Sequence, residues 1–145
     1  MISPGTGIAP FASLIRDPEP YEKFDQIILT HTFRDVAELE YGAELYRQSV
    51  EDALIGELTN GRLTYYSSTT RGRFPRMGRI TALIENGSLF ADLGVEAFDP
   101  ANDRVMICGS MAMLHDVKAL VEKAGFREGS HSEPGDFVVE RAFVG

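Results

Sequence analysis

Gly5-Thr6-Gly7-Ile8-Ala9-Pro10, close to the start of the chain, sets two glycines around one small polar residue, directly before an apolar pattern. That spacing lets a backbone turn sharply and approach a bulky anion. Ile8, Phe11, Leu14 and Ile15 follow as an amphipathic stretch, so the loop is expected where a helix opens. There the unpaired N–H groups and the positive end of the helix dipole suit a pyrophosphate. Pro10 fits the first turn, which needs no N–H donor. The same residues also fit a tight surface turn before a helix. A phosphate loop normally hangs from the carboxyl end of a buried strand. Here Met1-Ile2-Ser3-Pro4 precede it, and Pro4 cannot donate to a ladder. The first strand is therefore expected to be largely missing.

Four further segments read as strands: residues 26–32, 62–68 (after the turn Asn60-Gly61), 104–108 and 136–144. Between them lie helical patterns. One covers residues 10–16. A long one covers residues 37–58, with Leu39, Leu45, Val50, Leu54 and Leu58 as its stripe, and shorter ones cover 80–84 and 89–93. The last, residues 111–124, places Met113, Leu114, Val117, Leu120 and Val121 on one face and stops at Gly125. Residues 17–25 read as an acidic, proline-containing connection. Strands alternating with helices predict parallel pairing with helices on both faces, a doubly wound α/β fold.

A chain of 145 residues suits one domain with a sizeable core. No apolar run approaches the roughly 18 residues of a membrane span. The absence of a basic segment leading into an apolar one argues against a signal peptide, so a cytoplasmic setting is expected. The one cysteine, Cys108, leaves no internal disulfide and no multi-cysteine metal site. A net charge of −8 argues against general nucleic-acid binding. The distribution says more than the total. Of the 22 acidic residues, none lies between Glu57 and Glu85, while that window holds Arg62, Arg71, Arg73, Arg76 and Arg79. Such an island reads as a local anion site or as a solvated basic loop.

In an open parallel sheet, ligands bind at the carboxyl ends of the strands. The residues expected there are Phe33-Arg34-Asp35, Thr69-Thr70-Arg71-Gly72-Arg73 and Gly109-Ser110. A carboxylate near the end of the second strand would bind a ribose 2′-hydroxyl and signal NAD. This rim offers guanidinium groups instead, whose forks match phosphate oxygens, so a 2′-phosphate and NADP are expected. Cys108 reads either as a small core residue or as a thiol shaping a nicotinamide pocket without acting as a nucleophile. His31, His115 and His131 share no metal-ligand spacing, and His31 reads as strand-end packing.

Jointly, Gly5-Thr6-Gly7-Ile8-Ala9-Pro10, His31-Thr32-Phe33-Arg34, Thr70-Arg71, Gly78-Arg79-Ile80, Cys108-Gly109-Ser110 and the ending Val139-Glu140-Arg141-Ala142-Phe143-Val144-Gly145 look like one family. They resemble the C-terminal NADP-binding domain of bacterial ferredoxin (flavodoxin)–NADP reductases, nearest the proteobacterial subgroup, over essentially residues 1–145. The resemblance implies a sheet of strand order 3-2-1-4-5. Gly5, Thr6 and Gly7 would line the pyrophosphate site. Arg34, Arg71 and Arg79 would hold the 2′-phosphate with Thr70 alongside. Cys108, Gly109 and Ser110 would border the nicotinamide. Glu140 matches a carboxylate that positions groups or handles protons near the flavin. Ala142 matches the position that stacks on the flavin ring, and Phe143 begins an extension over the adenine end of FAD, expected to be short or cut at Gly145.

By the same resemblance, the complete protein would exchange hydride between NADP(H) and FAD and pass single electrons to or from ferredoxin or flavodoxin, as a monomer. Arg73 and Arg76 would then be candidates for docking the acidic partner. Two departures stand out. Ser110-Met111 replaces the proline-containing sequence that follows Cys-Gly in many members. No Arg-x-Tyr-Ser/Thr motif of the FAD-binding β-barrel occurs, and 145 residues leave no room for that barrel, so this chain alone is expected to be inactive. With the first strand missing, residues 26–32 and 104–108 would lose their shared neighbour. Other readings are the nucleotide half of another NAD(P)H–flavin reductase, against which the arginines argue, and a non-catalytic nucleotide-binding or partner-binding module.

Overall fold

The computed structural model describes the chain apart from residues 5–7, 35, 72–75, 131 and 142–145 and the side chains of Pro4, Glu38, Glu140 and Arg141. Its centre is a parallel sheet of β1 (Ile2–Pro4), β2 (Ile27–Phe33), β3 (Leu63–Thr69), β4 (Val105–Gly109) and β5 (Phe137–Arg141). The order across the sheet is β3-β2-β1-β4-β5, as expected. Each of the later strands begins one residue after its predicted start. Their short apolar runs, rich in β-branched and aromatic residues, are what a strand buried on both faces requires.

The central strand is short, as its sequence predicts, yet it keeps its place. Ile2, Ser3 and Pro4 pair with Thr30, His31 and Thr32 of β2, and Ile2 also pairs with Ile107 of β4. The Thr30 N–H donates to the Met1 carbonyl at 2.9 Å, and the Met1 amino group donates to the Ile28 carbonyl at 2.8 Å. The expected loss of a shared neighbour is therefore corrected: β2 and β4 still meet across Ile2. Three residues suffice because Ile2 is buried on the sheet and Ser3, wholly enclosed, donates its hydroxyl to the Thr30 carbonyl at 2.5 Å.

Helices cover both faces. On one side α1 (Ala9–Leu14), α2 (Pro18–Lys23) and α3 (Glu40–Glu51) pack Ile8, Phe11, Ile15, Tyr21 and Leu45 against Ile27, Leu29, Leu63 and Cys108. On the other, α5 (Ile80–Glu85), α6 (Ser88–Leu93) and α7 (Met111–Lys123) pack Ile80, Leu83, Leu89, Leu114, Val117 and Val121 against Ile2, Tyr66, Val105, Ile107 and Phe137. Alternate residues of one strand, such as Ile107 and Cys108, thus serve opposite layers.

Two local expectations are corrected. Residues 17–25 contain α2, whose start is written in Asp17-Pro18. The Asp17 carboxylate accepts from the Glu19 N–H at 2.9 Å, Pro18 takes the first helical position, and Glu19 pairs with Lys23 one turn on at 2.7 Å. Residues 37–58 are not one helix. A 3₁₀ turn (Val36–Leu39) leads into α3, which stops at Asp52; α4 (Gly56–Thr59) restarts the chain. Asp52 adopts an extended backbone, and its carboxylate accepts from Leu54 N–H at 2.7 Å and Ile55 N–H at 3.0 Å. Those local bonds compete with helix continuation. Leu54, assigned to the buried stripe by periodicity, is consequently 89% exposed.

Candidate functional site

Parallel pairing brings the carboxyl ends of all five strands to one rim. At the β2–β3 side the ladder runs on past the strands. The Thr70 N–H donates to the Phe33 carbonyl at 3.0 Å, and the Arg71 N–H donates to the Arg34 carbonyl at 2.9 Å. Arg34 and Arg71 are thereby held side by side, both exposed, with exposed Thr70 directly before Arg71. A return contact brings in the third arginine. The Gly78 N–H donates to the Thr69 carbonyl at 2.8 Å, and exposed Arg79 follows at the start of α5. Among the described residues, the ion pairs formed involve none of these three arginines.

Beneath the arginines the rim is polar and buried. Thr32 Oγ1 and Ser68 Oγ lie 2.9 Å apart, and Ser67, Ser68 and Thr69 are all buried. Every buried side-chain nitrogen and oxygen among the described residues has a partner, so the layer is a finished support. His31, also buried, sits 2.9 Å through Nδ1 from the Tyr65 hydroxyl, which in turn reaches the Leu39 carbonyl at 3.4 Å. Burial pushes the Tyr65 phenol above its ordinary range, so it stays a neutral hydroxyl across the physiological pH range. Sequence reading anticipated the packing role of His31 but missed its partner; the signal was the aromatic two residues into the next strand's pattern.

On the β4 side, Cys108 is fully buried among Ile8, Phe11 and Leu29. Gly109 ends β4, buried and paired with Arg141. Ser110 is exposed at the cap of α7, its carbonyl accepting from the Leu114 N–H at 2.9 Å while its hydroxyl makes no capping bond. The backbone of Glu140 pairs with Cys108 across β4–β5. Gly5, Thr6, Gly7, Arg73, His131, Ala142 and Phe143 lie outside the described residues. His115 is exposed on α7.

The basic window divides once its neighbours are known. Arg62 lies at the opposite end of β3 and donates to the Tyr21 carbonyl at 2.9 Å, and Arg76 lies over the Tyr66 ring with its guanidinium carbon 4.6 Å from the ring centre. Arg34, Arg71 and Arg79 remain facing solvent at the rim. Exposed guanidinium groups carried on one rim gain by sharing a dianion, so this donor set fits a phosphate ester. A groove of about 530 Å³ between α5, α6 and the far end of α7, lined by Phe90, Phe98 and Lys123, is remote from the rim.

Residues 1–119 match the family described as the oxidoreductase NAD-binding domain. The chain is 56% identical over 144 residues to a flavodoxin/ferredoxin–NADP reductase of Rhodobacter capsulatus, covering 99% of this chain and 53% of that protein. It is 50% identical to ferredoxin–NADP reductase A of Sorangium cellulosum, covering 100% of this chain and 52% of that protein. In three dimensions it matches a ferredoxin NADP+ reductase from Neisseria gonorrhoeae solved with bound FAD and NADP. That match has a TM-score of 0.82 at 27% identity, over 99% of this chain and 55% of that one. The chain thus spans about half the length of the relatives it matches.

Proposed function

Because the chain belongs to the oxidoreductase NAD-binding domain family, we propose that it is the NADP(H)-binding half of a ferredoxin/flavodoxin–NADP reductase. The observation that carries this is the Arg34–Arg71 pair, held side by side by a backbone bond and without acidic partners among the described residues. Arg34, Arg71 and Arg79, with Thr70, bind the 2′-phosphate. Gly5, Thr6 and Gly7, ahead of α1, take the pyrophosphate. Gly109 and Ser110 edge the nicotinamide, with Cys108 behind them as a small, buried filler that lets the ring approach. Glu140, Ala142 and Phe143 are assigned to the flavin side of the reaction.

Hydride exchange between nicotinamide and FAD is the chemistry the bound cofactors supply. FAD would be held mainly by a further domain, such as the other half of the relatives. This chain's part is to bind, orient and select the nucleotide. A ferredoxin or flavodoxin is the proposed electron partner of the complete protein, working as a cytoplasmic monomer without nucleic acid or membrane. No described helix is long and apolar enough to cross a membrane.

Selection is testable on the chain itself. Titration should show tighter binding of 2′-phospho-AMP than of AMP. Arg71 is exposed, so a bond from it sits at the lower end of the charge-assisted range, about 1.5 kcal/mol. Arg71→Ala should therefore weaken 2′-phospho-AMP roughly tenfold and leave AMP unchanged. Equal affinity of the native chain for the two nucleotides would overturn the reading.

A further inference from the structure

The loop between Thr69 and Gly78 carries Arg71 at one end and leads into Arg79 at the other. Its ends are closed on each other by the Thr69 N–H donating to the Arg76 carbonyl at 3.1 Å and the Gly78 N–H donating to the Thr69 carbonyl at 2.8 Å. Gly78 makes the return at φ +133°, where a side chain is strained, with Leu83 3.5 Å from where a Cβ would stand. Thr69 is wholly buried, whereas Gly78 is partly exposed, so the bond from Gly78 is the one open to water. Among the described residues, one side chain anchors this closure to the core. Arg76, half-buried, stacks over Tyr66, a ring only 1% exposed whose hydroxyl donates to Asp92 Oδ2 at 2.7 Å. Tyr66 belongs to β3 and Asp92 to α6, so the contact ties the loop to two elements at once.

We propose that Arg76 is a positioning residue: through its stack on Tyr66 it clasps the return of the chain onto Thr69 and so holds Arg79 at a fixed separation from Arg71. It neither binds the nucleotide nor docks a partner. The Tyr66–Asp92 bond strengthens the stack, because the carboxylate beyond the hydroxyl raises the negative potential felt at the ring face. Burial, then the Asp92 bond and charge, push the Tyr66 phenol upward, while Arg76 pulls the other way. Three of the window's arginines would then share one task in two roles. Arg71 and Arg79 touch the anion, and Arg76 sets the distance between them. The nucleotide part of this inference rests on the function proposed above; the clasp itself does not.

The test uses the full chain with Arg76→Met and Arg76→Lys. Amide hydrogen exchange at Thr69 and Gly78 is read against Leu29 and Ile107, which lie deep in the sheet. Arg76→Met should speed exchange at Gly78 about tenfold and leave the reference amides alone. Arg76→Lys keeps a cation over the ring and should restore most of the protection. The ratio of 2′-phospho-AMP to AMP affinity should follow the same order, falling several-fold in Arg76→Met and recovering in Arg76→Lys. Unchanged exchange at Gly78 in Arg76→Met overturns the clasp, even if phosphate affinity falls, because Arg76 would then be a direct ligand. If the native chain shows no preference for 2′-phospho-AMP while exchange responds as described, the proposed function fails and the clasp stands.

Discussion

Prepared with a free α-amino group on Met1, the chain should lose roughly 3 kcal/mol of stability as pH falls from 8 to 5. The cause is the α-amino group of Met1, which is enclosed beside β2 and donates to the Ile28 carbonyl. Removal from water disfavours its charged form and lowers its pKa from 8.0 to about 5 in the fold. The sign follows from proton counting. Between pH 5 and 8 the unfolded chain holds a proton on this amine that the folded chain does not, so stability falls as pH falls through that window. Above pH 8 neither state is charged, and below pH 5 the folded amine is protonated too, so the loss levels off. At about 1.4 kcal/mol for each pH decade, and with each state half titrated at its own end of the window, this gives the size. The Asp52 carboxyl, held low by the Ile55 and Leu54 N–H groups, titrates below this window and does not blur it.

Urea midpoints at pH 8.5, 7.0 and 5.5 would measure the slope. A chain acetylated at Met1, or extended there by further residues, removes the buried charge and should lack this part of the slope over the same range. Equal slopes with and without the free amine would show that the first residue is hydrated and that β1 is looser than its pairing implies.

Replacing Gly42 by alanine should destabilise the fold by about 3 kcal/mol, against the usual direction. In a helix interior, glycine to alanine ordinarily gains about 1 kcal/mol. At Gly42 of α3, however, a Cβ would stand 2.5 Å from both His31 Nδ1 and the Tyr65 hydroxyl and 2.9 Å from Ile8 Cδ1. Either α3 lifts or the His31–Tyr65 bond breaks inside the core. Overpacking costs about 1–3 kcal/mol, and a severed buried hydrogen bond adds about 1–3 more, which together outweigh the helical gain. Denaturation of Gly42→Ala measures the loss. In a Tyr65→Phe background the penalty should shrink, since one of the two close polar atoms is gone. A stabilised Gly42→Ala would mean that α3 slides freely over β2 and β3.

The parallel α/β fold was legible in the sequence because its signals are local. Residues 26–32, 62–68 and 104–108 are short apolar runs separated by helical periods, and each lies within one residue of the observed strand. The rim was legible for the same reason. Residues that follow strands in a parallel sheet must meet at one edge, so Arg34, Thr70, Arg71 and Ser110 could be placed there before any coordinates. Where a local signal was present but weighed wrongly, the element was missed. Asp17-Pro18 starts α2, and Asp52 stops α3 because a short carboxylate satisfies nearby N–H groups better than another helical turn would.

What the tertiary structure alone decided is which of several chemically identical side chains has which neighbours. Arg62 and Arg76 sit in the same acid-free window as Arg71 and Arg79, and nothing in their spacing separates them. Folding spends Arg62 on the Tyr21 carbonyl and Arg76 on the Tyr66 ring, contacts that reach across 41 residues and across the sheet face respectively. Gly42 is unremarkable in a helical pattern until His31 and Tyr65 close on it from two strands. Cys108 and Ile107 are adjacent in sequence, yet they belong to opposite layers. Such outcomes depend on which surfaces meet, and sequence periodicity records only that a surface is apolar, never what lies against it.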